Sequence, residues 1–445
     1  MNEFESSVEL KLNSYIKNHN KSICEYKFII AISGGIDSMA LLHCLHELRL
    51  SFYTVHFNHN YHHQSKKIAR FLYNLPQDYD LNKHFNIELD LSGAKNFESE
   101  ARIKRYKHLR NLRRRLDCDF ILTAHHLDDQ IETLHMKRIQ NTHWSNSLGI
   151  REKIDFIRRP LLSISKQQII NYAKEQKILW KEDPTNTDNS FMRNRVRNLE
   201  LPKIVSLKPQ YPSKLLSQQI IDRDRFDKIV DEINDTNFLI NEYRFGISIN
   251  ANQFLKFSKV GKRLIIQQFI DKKFNVTPVQ CSYSNWENLF IYLKSNIKRT
   301  TLFSLSKQIS IYRSRSAIYI VNNTALRVDA ININSRCNWF DGIFTTAETQ
   351  IFKKYLDKSM AILPKDIDCK VRQWRPSDTY VSATSGHKRK VSDLFIDKKM
   401  NYIQKRIQPI VVDGNDTIVW IPGLAHVSIK SNSNYRKYLW ESTKC

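Results

Sequence analysis

Residues 27–38 read KFIIAISGGIDS, a short apolar run that breaks into a turn built around two adjacent glycines. The run Lys27–Ile32 has the length and content of a buried strand. Residues 36–50 then space their apolar side chains at helical intervals. Between them lie Ser33, Gly34, Gly35, Ile36, Asp37 and Ser38. Glycine lets a backbone approach an anion without a Cβ clash, and the next helix presents unpaired N–H groups and the positive end of its dipole. Ser33 and Ser38 add hydroxyl donors. Asp37 would repel a bare phosphate, so it points to a bound Mg²⁺ or to a capping role. No lysine stands in the loop, so it is not the G-x-x-x-x-G-K-[ST] type.

Outward from the loop, strand-like and helical stretches alternate. Residues 51–57 are β-branched and aromatic, 97–116 read as a charged helix, and Phe120–Thr123 as another short strand. Strands separated by helices predict a parallel sheet, whose ligand crevice lies at the carboxyl ends of its strands. At such an end, after FILT, comes AHHLDDQIET, residues 124–133. Two histidines and three carboxylates suggest a metal cluster, but the spacing is not H-E-x-x-H, and adjacent histidines rarely face one ion. Asp129 and Glu132 are three apart, on one helical face, and suit a cationic amine. An acidic helix start favoured by the dipole is the plainer alternative. Further on come Arg159-Pro160-Leu161-Leu162, WKEDPTN at 180–186, and Arg193-Asn194-Arg195-Val196-Arg197, the last also readable as a solvated helix face.

The chain has 445 residues, 41% of them hydrophobic, enough for two or three cores. Lys plus Arg outnumber Asp plus Glu by 70 to 45, a net charge of +25 that calls for a polyanionic partner. Residues 1–210 hold 33 basic and 24 acidic side chains, a net of +9; the remaining 235 hold 37 and 21, a net of +16. No apolar run is long enough to span a membrane, and MNEFESSVELKLN lacks a signal core, so the expectation is a cytoplasmic protein. The seven cysteines are scattered without a C-x-x-C pair, which reads as reduced thiols without a zinc ribbon. Prolines at 202, 209 and 212 interrupt the alternating pattern.

SGGIDS resembles the pyrophosphate loop of the N-type ATP pyrophosphatases, which split ATP between its α- and β-phosphates and adenylate a substrate. SGGIDS, HHLDDQIET, RPLL, WKEDPTN and RNRVR, in this order, closely resemble the tRNA(Ile)-lysidine synthetase family within that group. EAR at 100–102 with Arg105-Tyr106 matches that family too, as do KVSDLF at 390–395 and IVWIPG at 418–423. The resemblance is strong over 25–200, moderate over 365–430 and weak between. It implies an α/β fold: a Rossmann-like PP-loop domain at 1–215, a mainly helical tRNA-contacting domain at 216–335, and a small α+β tRNA-binding domain at 336–445.

It also implies a reaction. ATP adenylates the C2 oxygen of the wobble cytidine of tRNA(Ile), the lysine amine attacks C2, and AMP leaves. Codon reading changes from AUG to AUA. The loop at 33–38 would hold ATP, with Mg²⁺ near Asp37. Asp129 and Glu132 would bind L-lysine, and Arg193 or Arg197 would stabilise charge, with Arg195 an equal candidate. Arg105 and Arg113 of the basic helix, and Lys388, Arg389 and Lys390 in an expected turn, would contact tRNA phosphates. The protein would act as a monomer or homodimer without a membrane. Two rivals remain: a tRNA thiolase of the same fold, which needs reactive cysteines, and a non-catalytic RNA-binding protein. Two stretches depart from the family: Asn60-Tyr61-His62-His63 replaces its usual Leu-Arg, and RIQNTHWSNSLGI at 138–150 keeps Gly149 where the family has a Gly-rich loop.

Overall fold

The computed structural model describes residues 2–16, 21–58, 65–79, 84–90, 97–182, 184–274, 282–294, 301–340, 342–349, 357–427 and 435–442. The departure at 60–63, Asp183, Cys281 and Cys445 lie outside them. The chain divides into two compact units, Met1–Phe226 and Asp227–Cys445.

The first unit is built on strands β1 (Lys27–Ile32), β2 (Ser51–Asn58), β3 (His84–Glu88), β4 (Phe120–Thr123), β5 (Lys153–Ile154) and β6 (Ile157–Arg158). Their order across the sheet is β3-β2-β1-β4-β6-β5. All neighbours are parallel except the short pair β5 and β6. The helices are α1 (Glu3–Asn13), α2 (Ile36–Glu47), α3 (Ser65–Asp78), α4 (Phe97–Arg115), α5 (Leu127–Ile139), α6 (Lys166–Glu175), α7 (Met192–Arg195), α8 (Leu201–Leu207) and α9 (Tyr211–Asp235). Strand β1 shows why the sheet needs cover on both faces. Phe28, Ile30 and Ile32 pack into one core with Leu41, Leu42 and Leu45 of α2, while Ile29 faces the other way, into a core with Leu109 and Leu112 of α4. A run apolar at every position is what a doubly covered parallel strand requires.

Strand order reverses beside β1, which lies between β2 and β4. Such a switch point splays the loops at the strands' carboxyl ends and opens the crevice in which open α/β sheets bind ligands. Ala31 is in register with Thr123, so the segments after β1 and β4 leave the sheet side by side. Those segments are SGGIDS and HHLDDQIET.

The second unit begins with an antiparallel five-stranded sheet formed by Ile240–Tyr243, Gly246–Asn250, Phe303–Ser304, Ile309–Arg313 and Ala317–Asn322. Helices Ala251–Lys256, Lys259–Phe274 and Tyr283–Lys294 belong to the same core, with Ile247, Phe254, Ile265, Leu289 and Ile311. The region expected to be mainly helical thus carries a sheet as well. Phe245, Tyr312 and Tyr319 of this region share a second core with Trp339, Phe344 and Trp420, which makes 227–445 one compact body. Its C-terminal part is α+β, with strands Lys370–Gln373, Pro409–Val412 and Ile418–Ile421 and helices Val391–Asp397 and Tyr402–Ile407. There Arg372, buried, donates to Asp378 through Nη1 at 2.9 Å and Nη2 at 2.8 Å, and to Asp416 through Nε at 2.6 Å. Among the described residues no helix is long and apolar enough to cross a membrane.

Candidate functional site

The loop after β1 has the form that anion binding needs. Gly34 sits at φ +82°, a conformation that side chains resist, and Gly35 is the N-cap of α2 without a side-chain cap. Ser38 ties the loop to itself: its hydroxyl accepts from the Ser33 N–H at 3.1 Å and donates to the Gly35 carbonyl at 2.9 Å. The Gly34 carbonyl accepts the Lys181 N–H at 2.9 Å, so the start of the WKEDPTN motif meets the loop. This first turn of α2 carries Asp37.

Helix α5 starts beside it, capped by His126, whose N–H donates to Asp129 at 3.0 Å. His126 is buried with Nε2 at 3.7 Å from Asp37 and 3.6 Å from Asp129, so it stands between the two motifs. Burial pushes the Asp129 carboxyl up, but His126 and Arg193 more than reverse this and hold it below the usual carboxylate range. Burial pushes the His125 imidazole down to about 3. Among the described residues no cluster of three metal-ligating side chains exists.

Arg193 and Arg197 reach the same acidic pair from α7 and the π-helical turn Val196–Glu200 that follows it. Arg193 donates to Glu132 through Nε at 2.9 Å and to Asp129 through Nη2 at 2.9 Å. Arg197 Nη2 donates to Asp129 at 3.1 Å and to Glu132 at 3.0 Å, and its Nε also bonds Glu132. Two guanidiniums and two carboxylates thus cancel. Burial pulls the Arg197 pKa down, but Glu132, Asp129 and Asp37 outweigh it and raise it. Arg195 turns away and donates to Glu200 at 3.0 Å. A π-turn inside a helix often marks a functional position; here it falls on the segment carrying Arg197.

Beside the cluster is a cavity of ≈ 320 Å³. Its walls include Ile131, Leu201, Pro202 and Val205, and its polar lining includes Glu132, Lys166 and Arg197. The buried Arg159 of RPLL lies outside it, donating to the Arg151 carbonyl and to the Tyr106 hydroxyl, the latter at 3.3 Å. The loop at 138–150 is pinned rather than open: Gln130 bonds Ile150 through both its amide atoms, and Gln219 and Arg223 donate to the Leu148 carbonyl.

The expected tRNA contacts separate. On α4, Arg113 donates to the Cys118 carbonyl at 2.8 Å and lies 3.4 Å over the Phe156 ring, and Arg105 is half-buried. Arg102, Lys107, Arg110, Arg114 and Arg115 are the exposed cations of that helix. Lys388, Arg389 and Lys390 form an exposed strand paired with Thr379–Val381, not the turn expected of them; Arg389 also donates to Asp397 at 2.7 Å. The strand forms because Tyr380, opposite Arg389, is buried under Val391 and Phe395. Sequence reasoning passed over Lys166, whose ammonium lies 2.6 Å from Asp37. Its signal was a cation at the start of a helix.

Residues 4–204 match the PP-loop domain family, and residues 369–439 match the TilS substrate C-terminal domain. A tRNA(Ile)-lysidine synthase of Staphylococcus aureus (strain MRSA252) is 30% identical over 424 residues, covering 89% of this chain and 93% of that one. The chain belongs to the tRNA(Ile)-lysidine synthase family. Members from Enterococcus faecalis and Persephonella marina are each 26% identical, the first covering 89% of this chain and 91% of its own length, the second 94% of both. Family membership decides against the thiolase rival. The cysteines agree: burial pushes the Cys44 thiol up, and that of Cys118 up to about 11, so neither is poised for sulfur transfer.

Proposed function

We infer that this chain makes lysidine in the wobble position of tRNA(Ile), in the cytoplasm. The observation that carries the reading is the meeting of two motifs at one switch point. The loop of β1 and the acidic turn of β4 lie side by side, with His126 between Asp37 and Asp129. One is built for the phosphates of ATP and the other for a cationic amine.

The reaction follows from that arrangement. The C2 oxygen of cytidine attacks the α-phosphorus of ATP, the bond to the bridging oxygen breaks, and pyrophosphate leaves. The amine of L-lysine, stripped of its proton, then attacks C2; the C2–O bond breaks and AMP departs. The positive end of the α2 dipole and the backbone of the glycine loop hold the phosphates. Asp129 and Glu132 receive the lysine ammonium, and one of them takes its proton. The cavity supports this assignment, since its apolar walls suit a butyl chain and Glu132 lies at its polar side. An entering ammonium must displace a guanidinium from the acidic pair. The freed Arg193 or Arg197 then serves the phosphate charge.

Mg²⁺ fits as a partner of Asp37. It keeps several waters and takes one or two carboxylates plus substrate phosphates, so a single aspartate in the loop suffices. When bound it would neutralise phosphate charge. The catalytic part is 1–215; 216–335 and 336–445, with the larger positive excess, hold the tRNA. Arg105, Lys388, Arg389 and Lys390 are the proposed phosphate contacts; Arg113, also expected to be one, is taken up by the Cys118 carbonyl and the Phe156 ring. The decisive product assay incubates purified protein with ATP, L-lysine and tRNA(Ile). Lysine-dependent AMP and pyrophosphate in equal amounts support the reading, and ADP with inorganic phosphate contradicts it.

A further inference from the structure

The loop at 33–38 contains no lysine. A Walker-type phosphate loop sets a lysine against the β- and γ-phosphates, and here that charge has to come from another element. Helix α6 begins at Lys166, directly after its capping residue Ser165. The Lys166 N–H donates to Asp128 Oδ2 at 2.7 Å, and its ammonium donates to Asp37 Oδ1 at 2.6 Å. Ile169, Tyr172 and Ala173 of α6 share a core with Leu41, Leu42 and Leu45 of α2, and the contact between Asp37 and Lys166 brings the first turns of the two helices together. One ammonium and two helix N-termini therefore converge on the phosphate loop.

Folding alone does not explain a lysine there. The first turn of a helix is where the dipole disfavours a cation. The compensating ion pair is partly solvated, with side chains 35% and 28% exposed, and such pairs contribute little to stability. A residue that breaks a local rule without a structural gain marks a functional position. Lys166 also contributes to the lining of the cavity that holds Glu132 and Arg197, while its ammonium reaches Asp37 of the loop, so the residue touches both parts of the site.

We propose that Lys166 is the phosphate cation of this nucleotide site, held on Asp37 until ATP arrives and then bound to the pyrophosphate portion. The role rests on the ATP reading above. In the adenylation step the bond between the α-phosphorus and the bridging oxygen breaks, and negative charge gathers on the departing pyrophosphate. The ammonium stabilises that charge and transfers no proton. Asp37, released, is free for its other partners.

The test is nucleotide binding without turnover. Wild type, Lys166→Met and Lys166→Arg are titrated calorimetrically with α,β-methylene ATP and, separately, with AMP, with tRNA present and lysine omitted. Melting temperatures show that each variant is folded. The expected result is a 10- to 100-fold loss of affinity for the ATP analogue in Lys166→Met, a change below twofold for AMP, and recovery of most of the affinity in Lys166→Arg. Equal losses for both nucleotides, equal losses in both variants, or analogue binding by Lys166→Met within twofold of wild type overturns the role. Failure of the wild type to bind either nucleotide overturns the ATP reading itself, a different outcome.

Discussion

Replacing Glu132 with glutamine tests the acidic pair with little change of shape. Glu132 is almost fully buried and accepts from Arg193 Nε at 2.9 Å, from Arg197 Nη2 at 3.0 Å and from Arg197 Nε. Breaking a fully buried ion pair costs about 3–5 kcal/mol. The two guanidiniums are 39% and 37% exposed and keep Asp129, so solvent screening reduces the loss to about 1–2 kcal/mol. For a unit of this size that lowers Tm by roughly 2–8 °C. The effect on lysine is of another kind. A hydrogen bond to a charged group contributes about 1.5–3 kcal/mol, so kcat/KM for lysine should fall on the order of 10- to 100-fold. The assay is incorporation of radiolabelled lysine into tRNA at varied lysine concentration, with ATP saturating, alongside a thermal melt. Adding Arg197→Met should give less than the sum of the two stability losses, because the residues share one network. If Glu132→Gln lowers Tm but leaves kcat/KM for lysine within twofold of wild type, Glu132 only anchors the arginines and the amine binds elsewhere.

Other positions give further expectations. Gly149 stands at φ +67° with its missing Cβ 2.6 Å from Gln130 Oε1, so Gly149→Ala should destabilise by about 2 kcal/mol, read as an earlier urea midpoint; an unchanged midpoint would refute the pinned loop. Asp378→Asn weakens the partner of buried Arg372 and should cost about 3 kcal/mol by urea unfolding of the full chain; a loss below 1 kcal/mol would show the pair is dispensable. His125, pushed down to about 3, is neutral in the fold but gains a proton near pH 6.5 when unfolded. Stability from this group is therefore full above pH 6.5 and is lost as pH falls toward 3, by up to about 1.4 kcal/mol per unit. The urea midpoint of wild type should drop between pH 6.5 and 4, and His125→Gln should flatten that slope. Identical slopes would show that His125 is protonated in the fold.

The parts of the fold legible in the sequence are those set by near neighbours. KFIIAI had to be a buried strand because both its faces are apolar, and SGGIDS had to be a turn because of its adjacent glycines. HHLDDQIET carried its own helix start, since Asp129 caps the N–H of His126 three residues before it. What stayed hidden depends on partners far along the chain. Arg197 meets Glu132 across 65 residues, and Lys166 meets Asp37 across 129. Spacing can say that RNRVR is charge-dense, but not that two of its arginines fill the place proposed for the lysine ammonium. Arg113 looked like one more cation on a basic helix, yet it closes the end of that helix on Cys118 and Phe156. The strand at Lys388–Lys390 was invisible because three basic residues carry no alternation; its partner Tyr380 supplies the buried face. The compactness of 227–445 comes from Phe245, Tyr312 and Tyr319, whose pairing with Trp339 and Trp420 is a tertiary fact.

The most direct test of the whole account is where labelled lysine ends up. Purified protein is given ATP, radiolabelled L-lysine and tRNA(Ile) transcripts carrying either cytidine or uridine at the wobble position. The account predicts label in the cytidine transcript, one lysine per tRNA, dependent on ATP, and recovered as a modified nucleoside at that single position after digestion. It predicts no label in the uridine transcript. Equal labelling of both transcripts, or an unlabelled cytidine transcript under conditions where a Staphylococcus aureus relative labels it, would contradict the account.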